Sequence, residues 1–305
     1  MRRVAVLLVA LAASLVPVAT ARAATSPGPY RGLGSWVDVF DYTARTQPVG
    51  VTPPVTPASV DDMAALGVRT LYIQVVNPPG VRPDTLFDAK LLREFLSRGH
   101  AAGLGVVAWY LPSFVDVRAD YAMVKAIASL QANGKGFDAV ALDIEDTDSV
   151  PDVVVRNDRV VELAKRTKEL LGSARPLAAI VYPAVQTEVI NPFLWPDFPY
   201  RRLSPSIDVW MPMAYFTFRD VASGYRDPLR YTEESVARLR ARLGDKHAPV
   251  HVIGGIADVA TPEDYVAFLR AARETKAVGY SMYDFRTTSS AAWSYLRQGE
   301  ASGAS

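Results

Sequence analysis

The chain of 305 residues contains no cysteine. That excludes a thiol nucleophile, a disulfide framework and a lipid anchor attached through a processed cysteine. Histidine is nearly as scarce, at three residues. His100 falls in a helical stretch, and His247 and His251 fall at the amino end of an apolar run. A histidine-built zinc site or a histidine-dependent phosphodiesterase is therefore not expected. There is no Gly-x-Ser-x-Gly elbow, and no glycine-rich phosphate fingerprint follows the first strand. Basic runs are missing as well. The formal net charge is +1, and Arg2, Arg3 and Arg22 belong to the first 23 residues, so the remaining chain is slightly acidic. It has little electrostatic attraction for nucleic acid or an anionic membrane.

One long apolar run is present, at the very start. "MRR" is a basic beginning, "VAVLLVALAASLVPVAT" an apolar core and "ARA" a small-residue cleavage site. This is the pattern of a secretory leader, and Pro17 interrupts the apolar core before a transmembrane length is secure, which weighs against an uncleaved anchor helix. The expected organisation is a signal peptide over 1–23, a linker over 24–33, one barrel domain over 34–297 and a flexible tail over 298–305. The expected destination is extracellular. A secreted chain without disulfides must hold together by its core, and the chain beyond the leader is long enough for one large domain.

Downstream of the leader, apolar β-rich runs alternate with amphipathic stretches. The strand candidates are Ser35–Phe40, Thr70–Val76, Gly105–Tyr110, Ala139–Ile144, Leu177–Tyr182, Asp208–Met213, Val250–Ile256 and Ala277–Tyr283. Continuously apolar strands suit a parallel sheet covered on both faces. Helix signals lie between them. Thr56-Pro57 offers an N-cap and a first-turn proline, as does Thr261-Pro262-Glu263-Asp264, and "LLREFLSRGHAAG" and "RVVELAKRTKELLG" each stop at glycine. Eight strand–helix units predict a single (β/α)8 TIM barrel of the α/β class rather than an open doubly wound sheet.

The connections after strands one and five are long, and both leave carboxyl ends, where barrel sites are assembled. The second carries Phe193, Trp195, Phe198 and Tyr200 among prolines. Its rings either stack on sugars or plug the barrel rim.

The end of strand four, "FDAVALDIEDTDSV", concentrates acids at that same rim. Side chains alternate along a strand, so Asp143 and Glu145 share a face with Ile144 opposite. Two carboxylates that close do not both ionise easily, and one keeps its proton to higher pH, as a general acid requires. Asp146 and Asp148 read better as loop or capping acids. A carboxylate calcium site at Asp143, Glu145 and Asp146 is the competing use, without loop spacing of a known kind. The other strand ends supply Asp38 and Asp41, Gln74 and Asn77, Trp109 and Tyr110, Tyr182 and Gln186, Met213 and Tyr215, and Tyr283 and Asp284. Acids, amides and rings without basic clusters suit a neutral carbohydrate, whose hydroxyls they bond and whose faces they cover.

These residues resemble glycoside hydrolase family 18, the chitinase-like barrels, whose strand four carries Asp-x-x-Asp-x-Asp-x-Glu. Asp138, Asp143 and Glu145 match its first, third and fourth acids, and Ala141 stands at the second. The family's strand-six Met-x-Tyr matches Met213-Ala-Tyr215. The resemblance implies that Glu145 is the proton donor, that Asp143 orients a substrate N-acetyl group and that Tyr215 hydrogen-bonds it, with the acetamido oxygen as nucleophile. Ala141 removes an acid that supports Asp143, Phe216 stands where the family has an acid or amide, and no tryptophan ends strand eight. Tyr283 or Phe285 would have to floor the sugar site. Asp-x-Glu at strand four is also similar to the lysozyme-type muramidases of family 25.

The reading is a secreted glycoside hydrolase-like barrel acting on a polysaccharide, with Glu145, Asp143 and Tyr215 as catalytic residues. Asp38, Gln74, Trp109, Tyr182, Met213, Tyr283 and Asp284 are the substrate-binding candidates. The expected partner is a polysaccharide or cell-wall glycan, with no metal, no cofactor, no nucleic acid, no membrane after leader removal, and a monomeric state. The alternatives are a non-catalytic carbohydrate-binding barrel and a muramidase.

Overall fold

A computed structural model describes residues 26–76 and 86–301. The leader and Asn77 lie outside the described residues. Eight parallel strands form one sheet: β1 Gly32–Val37, β2 Thr70–Gln74, β3 Gly105–Tyr110, β4 Ala139–Ile144, β5 Leu177–Val181, β6 Val209–Pro212, β7 His251–Ile256 and β8 Gly279–Tyr283. Their order is β6-β5-β4-β3-β2-β1-β8-β7. Single parallel bridges Trp210↔Val250 and Met213↔Ile253 join β6 to β7 and bring the ends together. The sheet is thus a nearly closed (β/α)8 barrel.

Helices α1 Ser59–Ala65, α2 Ala89–Ala101, α3 Val117–Ser129, α4 Val153–Leu171, α5 Tyr200–Leu203, α6 Pro228–Leu243, α7 Pro262–Glu274 and α8 Ser290–Ala301 follow the strands in turn. Local chemistry explains several of their ends. Thr261 and Asp264 form a reciprocal capping box at the start of α7. Gly172 takes φ 65° beyond α4, the left-handed conformation that a side chain resists. The helix expected from Thr56-Pro57 begins later, at Ser59, with Ala58 in the cap position. At the far end Gln298–Ala301, read from the sequence as the start of a tail, belong to α8.

Strand one is the largest boundary correction. It ends at Val37 rather than Phe40, because the Asp38 carboxylate accepts from Phe40 N and Asp41 N and starts a helical turn, Val39–Tyr42. Capping outcompetes the β-preference of Val39 and Phe40. Asp41 is carried into the protein by that turn.

The strands are apolar on both faces because both are buried. One cluster, with Ile73, Leu142 and Val252 among its members, packs outward against the helices, while Trp36, Tyr72, Val107, Trp109, Ala139, Ala141, Ala178, Ile180, Met211 and Ile253 belong to the barrel interior. Small residues make room there for large ones. A Cβ on Gly34 would lie 2.4 Å from Tyr72 Cε2, a separation that real side chains do not tolerate. Below the mouth, Trp36 Nε1 donates to Ser281 Oγ at 2.8 Å. His251 spans Ser281 Oγ (2.9 Å) and the Tyr30 carbonyl (2.9 Å). Burial lowers the His251 pKa to about 4, so the ring is a neutral structural link at neutral pH.

Candidate active site

The outer ends of β3, β4, β5, β6 and β8 bring the acid pair together with aromatic side chains. Asp143, the fifth residue of β4, follows Ala141 on the inward face and is 2% exposed. Trp109 Nε1, from the neighbouring strand β3, donates to Asp143 Oδ2 at 2.7 Å. Asp143 Oδ1 is buried and has no hydrogen-bond partner among the described residues. Glu145, one residue past the strand, is half-buried.

Both acids titrate upward. Burial raises the Asp143 pKa well above the ordinary carboxylate value, the charge of Glu145 adds to this, and the Trp109 N–H opposes it. Burial also raises Glu145, followed by the charge of Asp146. The two carboxyls affect each other, so their protons belong to the pair. This is the environment in which a carboxylic acid keeps a proton to deliver.

Three tyrosines surround the pair. Tyr182 donates its hydroxyl to the Glu145 carbonyl at 3.2 Å. The Tyr215 ring lies 6.4 Å from that of Tyr283, and its hydroxyl is held protonated by burial and by the charges of Asp143, Glu145 and Asp284. Tyr283 in turn meets Trp109 edge-on at 6.1 Å. Met213 packs in the same interior cluster, and its N–H donates to the Val181 carbonyl at 3.0 Å.

A second group of acids sits where β1 and β8 adjoin. Asp38 Oδ2 accepts from Tyr283 OH at 2.6 Å. Asp284 Oδ1 accepts from Thr287 N and Thr287 Oγ1, each at 2.9 Å. Asp41 Oδ1 pairs with Arg286 Nε at 2.9 Å, while its Oδ2 is buried without a hydrogen-bond partner among the described residues. Burial, then Asp38 and Asp284, push Asp41 up to about 7, against the opposing charge of Arg286. Carboxylate oxygens of Asp38, Asp41 and Asp284 lie within 4.8 Å of one another, making them the group among the described residues that could share a cation. The peptide bond Tyr283–Asp284 is cis.

Several sequence candidates turn out to be occupied inside the protein. Gln74 Oε1 accepts from Val39 N at 3.2 Å and braces the β1 turn. Tyr110 points outward, donating to Asp120 Oδ1 at 2.6 Å. Asp138, the first acid of the strand-four motif, accepts from Val106 N at 2.7 Å and meets His100 Nε2 at 3.0 Å. Asp208 before β6 repeats that arrangement, accepting from Leu177 N at 2.8 Å and pairing with Lys168. Asp146 Oδ1 accepts from Asp148 N and Ser149 N, which is the loop role expected of it. Gln186 Oε1 accepts from Arg219 Nη1 at 2.6 Å.

Most of the aromatic loop after β5 plugs rather than presents. Trp195 is buried, donates to Asn157 Oδ1 at 2.8 Å and lies under the Arg156 guanidinium at 4.3 Å. Phe198 meets it edge-on at 5.3 Å, whereas Phe193 is 91% exposed. A cavity of about 650 Å³ opens between this loop and α6, lined by Trp195, Phe198, Tyr200 and Arg242 and not by the acid pair.

Sequence reasoning missed Arg286 as the counter-charge of Asp41. A lone cation just past strand eight was the available signal. It also placed Trp109 without its bond to Asp143, for which spacing held no signal.

The fold and the mouth define the class: a (β/α)8 barrel of the architecture used by glycoside hydrolases. Among solved structures, the chain is similar to an exo-β-1,4-mannosidase from Opitutaceae bacterium strain TAV5, with TM-score 0.62 and 16% identity, over 89% of this chain and 59% of that one. It thus spans less than two thirds of the mannosidase. It is also similar to the C-terminal domain of a putative chitinase from Desulfitobacterium hafniense DCB-2 (TM-score 0.63, 12% identity, 88% and 99% of the two chains). A third similar structure is a chitinase from Cycas revoluta, solved in complex with (GlcNAc)4 (TM-score 0.60, 12% identity, 88% and 99%). At identities this low the likeness establishes the shared fold alone. No family model matches the sequence, and no curated protein matches it.

Proposed function

We propose that the protein is a secreted glycoside hydrolase that cleaves a polysaccharide at amino-sugar linkages, with Glu145 as the general acid. The observation that carries this reading is the Asp143/Glu145 pair, two carboxyls both raised chiefly by burial, beside tyrosines at the mouth of the barrel. Glu145 delivers its proton to the glycosidic oxygen as that bond breaks. The substrate's acetamido oxygen attacks the anomeric carbon from within the sugar, and Asp143 and Tyr215 hold the acetamido group for that attack. Water then opens the cyclic intermediate, with Glu145 taking back a proton as base. Tyr182, Tyr283 and Met213 shape the sugar-binding walls, and Asp38 and Asp284 stand behind Tyr283. The chain works extracellularly after leader removal, without a cofactor.

The experiment is reducing-end release from chitin, peptidoglycan, mannan and β-glucan by the chain lacking its leader, beside Glu145→Gln. Gln keeps the shape but carries no proton to donate, so turnover should fall roughly 10²–10⁴-fold while the circular dichroism spectrum is unchanged. An unchanged rate removes Glu145 from the chemistry. Ala141 supports a second reading, a barrel that binds glycans without cleaving them. Binding without turnover by the parent would establish that reading instead.

A further inference from the structure

Asp143 has one hydrogen-bond partner among the described residues, and that partner is an indole. Trp109 and Ala141 are register partners across β3 and β4, and Asp143 is the next inward residue on β4. The methyl group of Ala141 leaves this part of the interior to the larger ring. The ring has little freedom to swing, because Trp109 is 8% exposed and wedged edge-on between Trp36 at 5.3 Å and Tyr283 at 6.1 Å.

An indole nitrogen donates and never accepts. Asp143 Oδ2, 2.7 Å away, is therefore held as an acceptor whatever the protonation state of the carboxyl. A proton on Asp143 is better placed on Oδ1, because an unprotonated oxygen is the stronger acceptor for the indole, and Oδ1 is buried without a partner among the described residues. A carboxyl beside another acid, as the family resemblance would place at position 141, can share a proton with it. An indole cannot take part in such an exchange.

We infer that Trp109 is a positioning residue that replaces the missing acid at Ala141, its N–H clamping Asp143 Oδ2 and leaving Oδ1 as the oxygen still to be bonded when a substrate enters. The clamp makes Asp143 a fixed polar contact rather than a rotating one. This inference rests on the glycosidase reading of the same site, and it concerns a residue that bonds to Asp143 rather than to the reacting atoms.

The test is Trp109→Phe, which keeps an aromatic ring against Trp36 and Tyr283 and removes the N–H. On the glycan that the parent cleaves, kcat should fall about 10-fold or more with KM changed less than about 3-fold, as expected when orientation rather than binding is lost. Losing a donor to the ionised form also makes Asp143 harder to ionise, so the pH–rate profile should move. A folded Trp109→Phe enzyme with parental kcat and a superimposable pH profile overturns the inference while leaving the glycosidase reading intact. An arm independent of turnover uses the folded parent. The Trp109 indole N–H resonance should shift over the pH range in which the Asp143/Glu145 pair titrates, and Asp143→Asn should abolish that dependence. An indole resonance indifferent to both overturns the clamp even if no glycan is cleaved or Trp109→Phe does not fold. Parental inactivity on every glycan, with a responsive indole, sinks the functional reading alone.

Discussion

Tyr283 donates its hydroxyl to Asp38 Oδ2 at 2.6 Å, joining residues 245 positions apart at the seam between the last strand and the first. Asp38 simultaneously caps the turn that carries Asp41 inward, so one carboxylate organises both sides of the seam. Tyr283→Phe should destabilise the protein by about 1–3 kcal/mol, the range for a buried acceptor left without its donor. Thermal unfolding measures this. A melting temperature equal to the parent's would mean the bond contributes nothing.

The acids at that seam should make stability depend on pH. Asp41 is pushed up to about 7, from an ordinary 3.8, chiefly by burial. A carboxyl that binds its proton more tightly when folded contributes stability fully present below its unfolded pKa and lost as pH rises through the folded one. Between about pH 4 and 7 this contribution therefore declines, and Asp41→Asn should flatten the decline. His251 acts with the opposite sign over an overlapping range. Its pKa is lowered to about 4 by burial, so its contribution is present above about 6.5 and is lost as pH falls through about 4. Parent and Asp41→Asn must accordingly be compared at each pH. Parallel melting curves across the range would remove Asp41 from the account.

Close packing at the amino end of β8 makes a sharper demand. A Cβ on Gly279 would lie 2.2 Å from the Tyr30 carbonyl oxygen and 2.4 Å from His251 Nδ1. Backbone atoms cannot move aside as a flexible side chain does. Gly279→Ala should cost at least about 1–3 kcal/mol, measured by denaturant unfolding with an unchanged slope. Full stability in that variant would mean the barrel floor is looser than the structure describes.

The chemistry offers its own discriminating substrate pair. If the acetamido oxygen is the nucleophile, oligosaccharides with the N-acetyl group should be cleaved and matched deacetylated ones should not, by a factor of at least about 10². Rates compared by product chromatography decide it. Equal cleavage of both would point to a protein carboxylate as nucleophile or base, with Asp38, Asp41 and Asp284 as the residues to mutate next.

Much of the scaffold was legible because its causes are local. The bounds of β4, Ala139–Ile144, follow from an apolar run ending in acids, and the period of two puts Asp143 and Glu145 on one side of it. The capping box of α7 is written in four consecutive residues. Where local signals conflicted, the reading slipped. Asp38 lies inside a run of β-formers, yet its capping bonds end the strand before it. Trp195 has the composition of a sugar platform, yet Asn157 and Arg156 from α4 hold it inside.

Residue order alone thus determined the number of barrel strands and their direction, since periodicity and burial act over neighbouring positions. Strand pairing and barrel closure decided the rest. Pairing of β3 with β4 set Trp109 on Asp143, and closure brought Asp38, Asp41 and Asp284 together, paired Asp41 with Arg286 and sealed His251 between Ser281 and Tyr30. Each of these contacts joins different strands or strand ends. They form because distant strands pair side by side and the sheet curves until β1 meets β8, and spacing along a single segment carries no record of either.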